Sequence, residues 1–289
     1  MIVNNINIIP KKSDTAFLTT IYPACMIFFE QFLRSLDLQS DKDFDLIIVN
    51  DGVVNLEKYF EKYKRINYAV IPSTNSIVEN RKIGIDLIKR QKYKYLIFGD
   101  SDDYFDSKRV FVSKLNLASF DIVVNDLNLF DSGGVYKEKI FSQRLEDTLE
   151  IDLKFIEDKN IFGLTNTSVR VSSIKNMVLC ESLVAFDWYL FSKLLYENNS
   201  AIFTNKTHTF YRQHKNNTVG LGDNSINSIK KSIHVKKIHY QCMRKIDNYF
   251  DVHLLQIKNF EENMSKIKFK KNINNTENLL WWENTLLIK

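Results

Sequence analysis

The chain has 289 residues, 44% of them apolar, which leaves room for one large α/β domain or two small ones and excludes global disorder. The formal net charge of +5 is unevenly placed: from residue 226 onward twelve Lys and Arg face six Asp and Glu, so the whole basic excess lies in the tail. Such a tail is either a solvated helix face or a surface suited to an anionic partner, and no nucleic-acid motif accompanies it.

Residues 16–21 read as a first strand, and 26–36 as a helix with apolar residues at helical spacing. A second buried strand spans 44–49 and ends in Asn50-Asp51-Gly52. A short helix over 56–63, a strand over 68–71 stopped by Pro72, and a helix over 77–90 carrying Asn80, Arg81 and Gly84 follow. Residues 95–98 form a short apolar strand closed by Gly99, and three carboxylates come at once: Asp100, Asp102 and Asp103. Carboxylates this close repel one another unless a cation sits among them, and a hard divalent ion is suited to oxygen donors. Strands alternating with helices at this spacing predict a mostly parallel sheet covered on both faces.

After about residue 105 the rhythm changes. The pattern predicts a helix over 110–117, a strand over 121–124, a turn over 131–134 and a strand over 165–171. Residues 140–158 are charged and mixed, with only a weak signal. A helix over 183–196 carries Phe186-Asp187-Trp188, and strands over 201–204 and 208–214 follow. Residues 226–258 predict one long amphipathic helix without Gly or Pro, and 277–289 are apolar enough to dock on something. Cys25, Cys180 and Cys242 lie far apart with no CxxC pair, which argues against a zinc site or a disulfide framework and fits a reducing compartment. Residues 1–12 are too short and polar for a signal peptide, and no apolar run approaches a membrane span. The expectation is a soluble, cytoplasmic protein.

Each candidate residue has an ordinary explanation beside a chemical one. Asp51 at a strand end can simply close a turn. Arg81 can be a solvated helix residue. Asp187 is favoured at a helix start by the dipole alone. His214 can be a surface or core residue, although imidazole is also a good metal ligand. Trp188 is as well explained by the core as by stacking on a sugar.

Taken together, Asn50-Asp51-Gly52, the segment from Asn80 and Arg81 to Gly84, Asp100-Ser101-Asp102-Asp103, Phe186-Asp187-Trp188, and the run from Tyr211 and Arg212 through His214, Asn217 and Thr218 to Gly220 resemble, in order and spacing, the family 2 glycosyltransferases of the GT-A fold. The resemblance covers roughly residues 14–222. It implies a GT-A catalytic domain over 1–225, with a Rossmann-like nucleotide-sugar half to about 125, an acceptor half over 126–225, and a basic helical extension over 226–289. It implies an inverting, metal-dependent transferase that moves a sugar from a nucleotide-sugar, most often UDP-linked, to a hydroxyl of a glycan or lipid-linked acceptor in bacterial surface polysaccharide synthesis. In that reading Tyr22, Asp51, Arg81, Asp100, Ser101 and Asp102 bind the donor. Asp102 and His214 hold Mn²⁺ or Mg²⁺, and Asp187 is the general base. Asp103, Trp188 and Arg212 are candidate acceptor or phosphate contacts. The residue before Asp187 is Phe186 where the family usually has Glu, and Asn50 stands where a second Asp is frequent.

Two rivals remain from sequence. One is a haloacid dehalogenase-type phosphatase, which uses Asp-x-Asp near its N-terminus. The other is a non-catalytic sugar-binding protein of the same fold. For the tail, Lys230, Lys231, Lys236, Lys237 and the lysines over 266–271 are candidates for docking on anionic lipid at the inner face of the membrane, or on a partner enzyme. Packing on the catalytic domain or homo-oligomerisation would serve equally.

Overall fold

The computed structural model describes residues 10–74, 76–175, 177, 180, 182–213, 221–222, 225–263 and 279–283. Its chain divides into two units, one of residues 1–152, 162–177 and 197–212, the other of 153–161, 178–196 and 213–289. Two segments from the middle of the chain, 153–161 and 178–196, group with the C-terminal one.

The first unit contains, in chain order, β1 (Thr15–Ile21), α1 (Met26–Asp37), β2 (Asp45–Asn50), α2 (Glu57–Phe60), β3 (Asn67–Pro72), α3 (Ile77–Arg90), β4 (Tyr95–Phe98), β5 (Tyr104–Phe105), α4 (Arg109–Leu117), β6 (Ile122–Asp131), β7 (Gly134–Lys137), β8 (Glu150–Ile151), β9 (Thr167–Arg170) and β10 (Ala201–Arg212). All ten strands form one sheet in the order β3-β2-β1-β4-β9-β6-β10-β5, with β7 added to β6 and β8 to β10. The ladders β1/β2, β2/β3, β1/β4 and β6/β10 are parallel. β9 runs antiparallel to both β4 and β6, which turns β6 and β10 back into the direction of β1. The carboxyl ends of β1, β2, β4 and β10 therefore share one edge of the sheet, where open α/β sheets place their ligands.

Local sequence explains the core. β1, β2 and β4 are apolar runs buried along almost their whole length, as strands covered on both faces must be. α1 turns Phe29, Phe32, Leu33 and Leu36 onto Phe17, Leu46, Ile48 and Phe105. α3 starts at Ser76, whose hydroxyl accepts from the Glu79 N–H, and ends with Lys89 and Arg90 favourably placed for its dipole. Gly84 lets α3 approach the sheet, since a Cβ there would lie 2.7 Å from Leu18 Cδ1.

In this unit three elements differ from the sequence expectation. α2 is a single turn rather than a helix over 56–63. β6 continues seven residues beyond the buried run over 121–124 that announced it. The two strands expected over 201–204 and 208–214 are one, β10, with a register shift between Thr204 and His208 where exposed Asn205 and Lys206 bulge out.

The second unit contains α5 (Leu153–Ile156), α6 (Phe186–Tyr196), β11 (Leu221–Gly222), α7 (Ile226–Arg244), α8 (Asp251–Asn263) and β12 (Leu279–Leu280), with β11 and β12 paired antiparallel. The single helix expected over 226–258 is broken after Arg244. Asp247 caps a new start by accepting from the Tyr249 N–H at 2.7 Å, and the Tyr196 hydroxyl donates to the same carboxylate. Cys180 and Cys242 form a disulfide with Cα atoms 6.0 Å apart, which corrects the reading of the three cysteines as arguing against disulfides. Of the four described lysines proposed for membrane docking, Lys236 is 4% exposed and so is not available to a lipid surface, and Lys237 pairs with Glu261 on α8. Residues 266–271 lie outside the described residues. No helix among the described residues is long and apolar enough to cross a membrane.

Candidate active site

The acids follow β4 through Gly99, whose place no other residue could take. A Cβ there would meet the Phe17 ring at 2.5 Å and the Phe105 ring at 2.6 Å. Along the next turn burial alternates: Asp100 and Asp102 are partly exposed, whereas Ser101 and Asp103 are buried. The Ser101 hydroxyl donates to the Thr20 carbonyl at 2.8 Å, anchoring the turn to β1. Asp103 points inward, accepting from the Thr165 hydroxyl at 2.5 Å and the Arg212 N–H at 2.7 Å. Burial pushes its carboxyl well above the usual carboxylate range, and the charges of Asp102 and Asp100 push it further. With 1% of its surface exposed, Asp103 is a support of the turn, which corrects its assignment as an acceptor or phosphate contact.

Arg212 is held beneath the same turn. Its Nε donates to the Asp102 carbonyl oxygen at 2.6 Å, its Nη2 donates to Gln31, and its guanidinium lies between Phe28 and Phe130 at 4.0 and 4.2 Å from the ring centroids. Burial lowers its pKa and the neighbouring Asp103 and Asp102 pull it back up. Arg212 thus supplies fixed positive charge beneath the acidic turn.

The neighbouring strand ends complete the edge. The Asp51 N–H donates to the Ile21 carbonyl at 2.8 Å, and the Asp51 carboxylate accepts from the Ser73 hydroxyl at 2.8 Å, joining the ends of β1, β2 and β3. The turn-closing role belongs instead to Asn50, which donates to the Val53 carbonyl and accepts from the Val53 N–H. Only an amide can do both, which accounts for Asn in place of a second Asp. Tyr22 follows β1 directly; its phenol is raised by burial first and then by Asp102, which sets it beside the acidic turn. Arg81 lies on α3 next to buried Asn80, whose Oδ1 accepts from Thr74 and holds the segment after β3. Gln31, Phe28, Phe130 and Thr165 were missed, because none carries a local signal: each acts through a partner distant in sequence.

Asp187 belongs to the second unit, in the first turn of α6, where its Oδ1 accepts from the Trp188 N–H at 2.8 Å. Trp188 is fully buried and its Nε1 donates to the Ile156 carbonyl, so the acceptor-stacking role is withdrawn in favour of the core. His214 lies outside the described residues.

No family model matches the chain, and no curated protein matches it. Solved structures do. S. aureus TarS 1–349 in complex with UDP-GlcNAc superposes with a TM-score of 0.62 at 15% identity, covering 95% of this chain and 81% of that one. The same fragment without ligand gives 0.61 at 16%, covering 90% and 75%. The mannosyltransferase PcManGT from Pyrobaculum calidifontis, in complex with GDP-Man and Mn²⁺, gives 0.58 at 11%, covering 89% and 72%. The chain has the GT-A fold. That architecture displaces the haloacid dehalogenase-type reading, in which Asp-x-Asp stands near the N-terminus.

Among the described residues no three His, Cys, Asp or Glu side chains are arranged to hold a metal. The donor chemistry of the acidic turn nevertheless fits a hard cation. Asp100 and Asp102 are the two acids left partly exposed, and each adds to the electrostatic strain on Asp103.

Proposed function

We propose that the chain is an inverting, metal-dependent glycosyltransferase of family 2 that moves a sugar from a UDP-sugar to a hydroxyl of a surface-glycan or lipid-linked acceptor. The observation that carries this reading is the convergence of Tyr22, Asp51, Asp100 and Asp102 at one edge of a GT-A sheet, with the buried Asp103–Arg212 pair beneath them. The ordered set of five sequence motifs, and the UDP-GlcNAc and GDP-Man held by proteins of the same fold, support it.

Asp51 would read the nucleotide base beside Tyr22, and Arg81 would contact base or diphosphate. Asp100 would approach the ribose. Asp102 and His214 would hold Mn²⁺ or Mg²⁺, which when bound supplies Lewis-acid stabilisation of the departing diphosphate. Asp187 would accept the proton of the acceptor hydroxyl as that oxygen attacks the anomeric carbon from the face opposite the leaving group. The test uses UDP-GlcNAc as donor and follows UDP release with Mn²⁺ and with EDTA. Asp102→Asn should lose metal-dependent UDP binding, and Asp187→Asn should keep that binding while losing turnover. Wild-type turnover by Asp187→Asn removes the base; absence of UDP and GDP binding by the wild type, with Mn²⁺ present, removes the whole reading.

A further inference from the structure

Trp188 is the residue after Asp187, and the second unit is assembled around its ring. The indole lies flat on the imidazole of His239 in α7, with centroids 3.7 Å apart and planes 4° from parallel. Tyr240 and Trp281 each meet it edge-on with centroids at 5.7 Å. Its Nε1 is committed to the Ile156 carbonyl at 2.9 Å. The segment leading into α6 is fixed to the same helix, because Cys180 is bridged to Cys242, three residues beyond His239. The Ser232 hydroxyl on α7 donates to the Trp281 carbonyl at 2.6 Å, which ties the β12 strand to the same assembly. His239 is itself 2% exposed, and its Nδ1 finds no hydrogen-bond partner among the described residues. A buried imidazole without that bond serves here by its shape and its flat contact with the indole.

We infer that α7, together with Trp281, is a brace for the first turn of α6, and that His239 is its positioning residue, acting on Asp187 through Trp188. This rests on the reading of Asp187 as the base. The physical need is plain: a general base works only within hydrogen-bond reach of the proton it takes, and misplacement by about 1 Å can cost on the order of 100-fold in rate. Trp188 cannot turn without displacing His239 or Trp281, so the turn that carries Asp187 inherits the rigidity of that stack. The role needs the flat ring of His239 and not its charge.

Three full-length variants test it, His239→Leu, His239→Phe and Asp187→Asn, with UDP-GlcNAc and Mn²⁺ as the probe. His239→Leu should lower kcat by about 10-fold or more, while KM for UDP-GlcNAc and the affinity for UDP stay within about 2-fold of wild type. His239→Phe, which restores a flat ring, should recover most of that loss. Amide hydrogen exchange over 185–190 should quicken in His239→Leu and not in His239→Phe, a readout that needs no turnover and shows whether the rest of the chain remains folded. Wild-type kcat and wild-type exchange in His239→Leu overturn the proposal, as does a loss of UDP affinity in step with kcat. Asp187→Asn separates the two readings: wild-type turnover there sinks the base itself, whereas a dead Asp187→Asn beside an unimpaired His239→Leu sinks the brace alone.

Discussion

Arg212 and Asp102 are joined through the main chain: the guanidinium Nε donates to the Asp102 carbonyl oxygen at 2.6 Å while the Arg212 N–H holds Asp103. The last residue of β10 thus fixes the backbone from which the Asp102 carboxylate projects. A charge-assisted hydrogen bond of this kind is worth roughly 1.5–3 kcal/mol. Arg212→Lys keeps a positive charge but loses the planar fork and its contacts with Phe28 and Phe130. We expect it to cost about 2 kcal/mol in denaturant unfolding and to weaken Mn²⁺-dependent UDP binding by about 10-fold in calorimetry. Unchanged binding in a folded Arg212→Lys protein would show that the clamp is irrelevant to the acidic turn.

Gly99 tests the same turn from the other side. An added methyl would come within 2.5–2.7 Å of two packed rings that cannot swing away. Gly99→Ala should therefore destabilise the protein by about 1–3 kcal/mol, the usual cost of overpacking. The displacement falls next to Asp100, so UDP affinity with Mn²⁺ should fall more than stability at subdenaturing temperature can explain. A crystal structure of the variant with Phe17 and Phe105 unmoved would contradict this account.

Much of this edge could be read from the sequence. Residues 77–90 and 95–98 fold as their pattern says, and the acids stand where a parallel strand ends. The rest escaped for physical reasons. β6 passes beyond Val124 through Asn125, Asp126 and Asn128, a polar run that reads as a loop. It is a strand because its backbone pairs with β10 through Phe130, and its buried polar side chains are satisfied from afar: Asp126 accepts from the Phe141 N–H and Asn128 from the Lys139 N–H, partners more than ten residues away. Arg212 reads as a free cation for the same reason, since nothing local announces Gln31 or the two rings that enclose it. The break after Arg244 did have a signal, the Asp247-Asn248 pair, which is a common helix start.

The Cys180–Cys242 bridge had no such signal, because its partners are 62 residues apart in sequence. A loop of that length implies about 4 kcal/mol of stabilisation on the chain-entropy model. Cys180→Ser should lower the denaturation midpoint in non-reducing buffer to the value that wild type shows in reducing buffer, and reductant should have no further effect on the variant. Equal midpoints for wild type in both buffers would mean that the bridge contributes nothing.

His239 also predicts how stability depends on pH. Burial holds its pKa well below the ordinary value near 6.5, and the neighbouring His253 on α8 and Lys236 on α7 itself lower it further. Glu157 faces His253, at 3.9 Å from its Nε2. The folded protein keeps His239 neutral while the unfolded chain takes up a proton below about 6.5. Unfolding then binds a proton in that range, so the His239 contribution is present above about pH 6.5 and lost as pH falls, by at most about 1.4 kcal/mol per pH unit. Urea unfolding at pH 7.5, 6.5 and 5.5 should show this slope in wild type. His239→Phe keeps the flat contact with Trp188 and has no proton to bind, so its slope between pH 6.5 and 5.5 should be shallower by about that amount. Parallel curves for the two proteins would mean that the imidazole is protonated alike in the folded and unfolded chains, and that its burial against Trp188 is not what the geometry indicates.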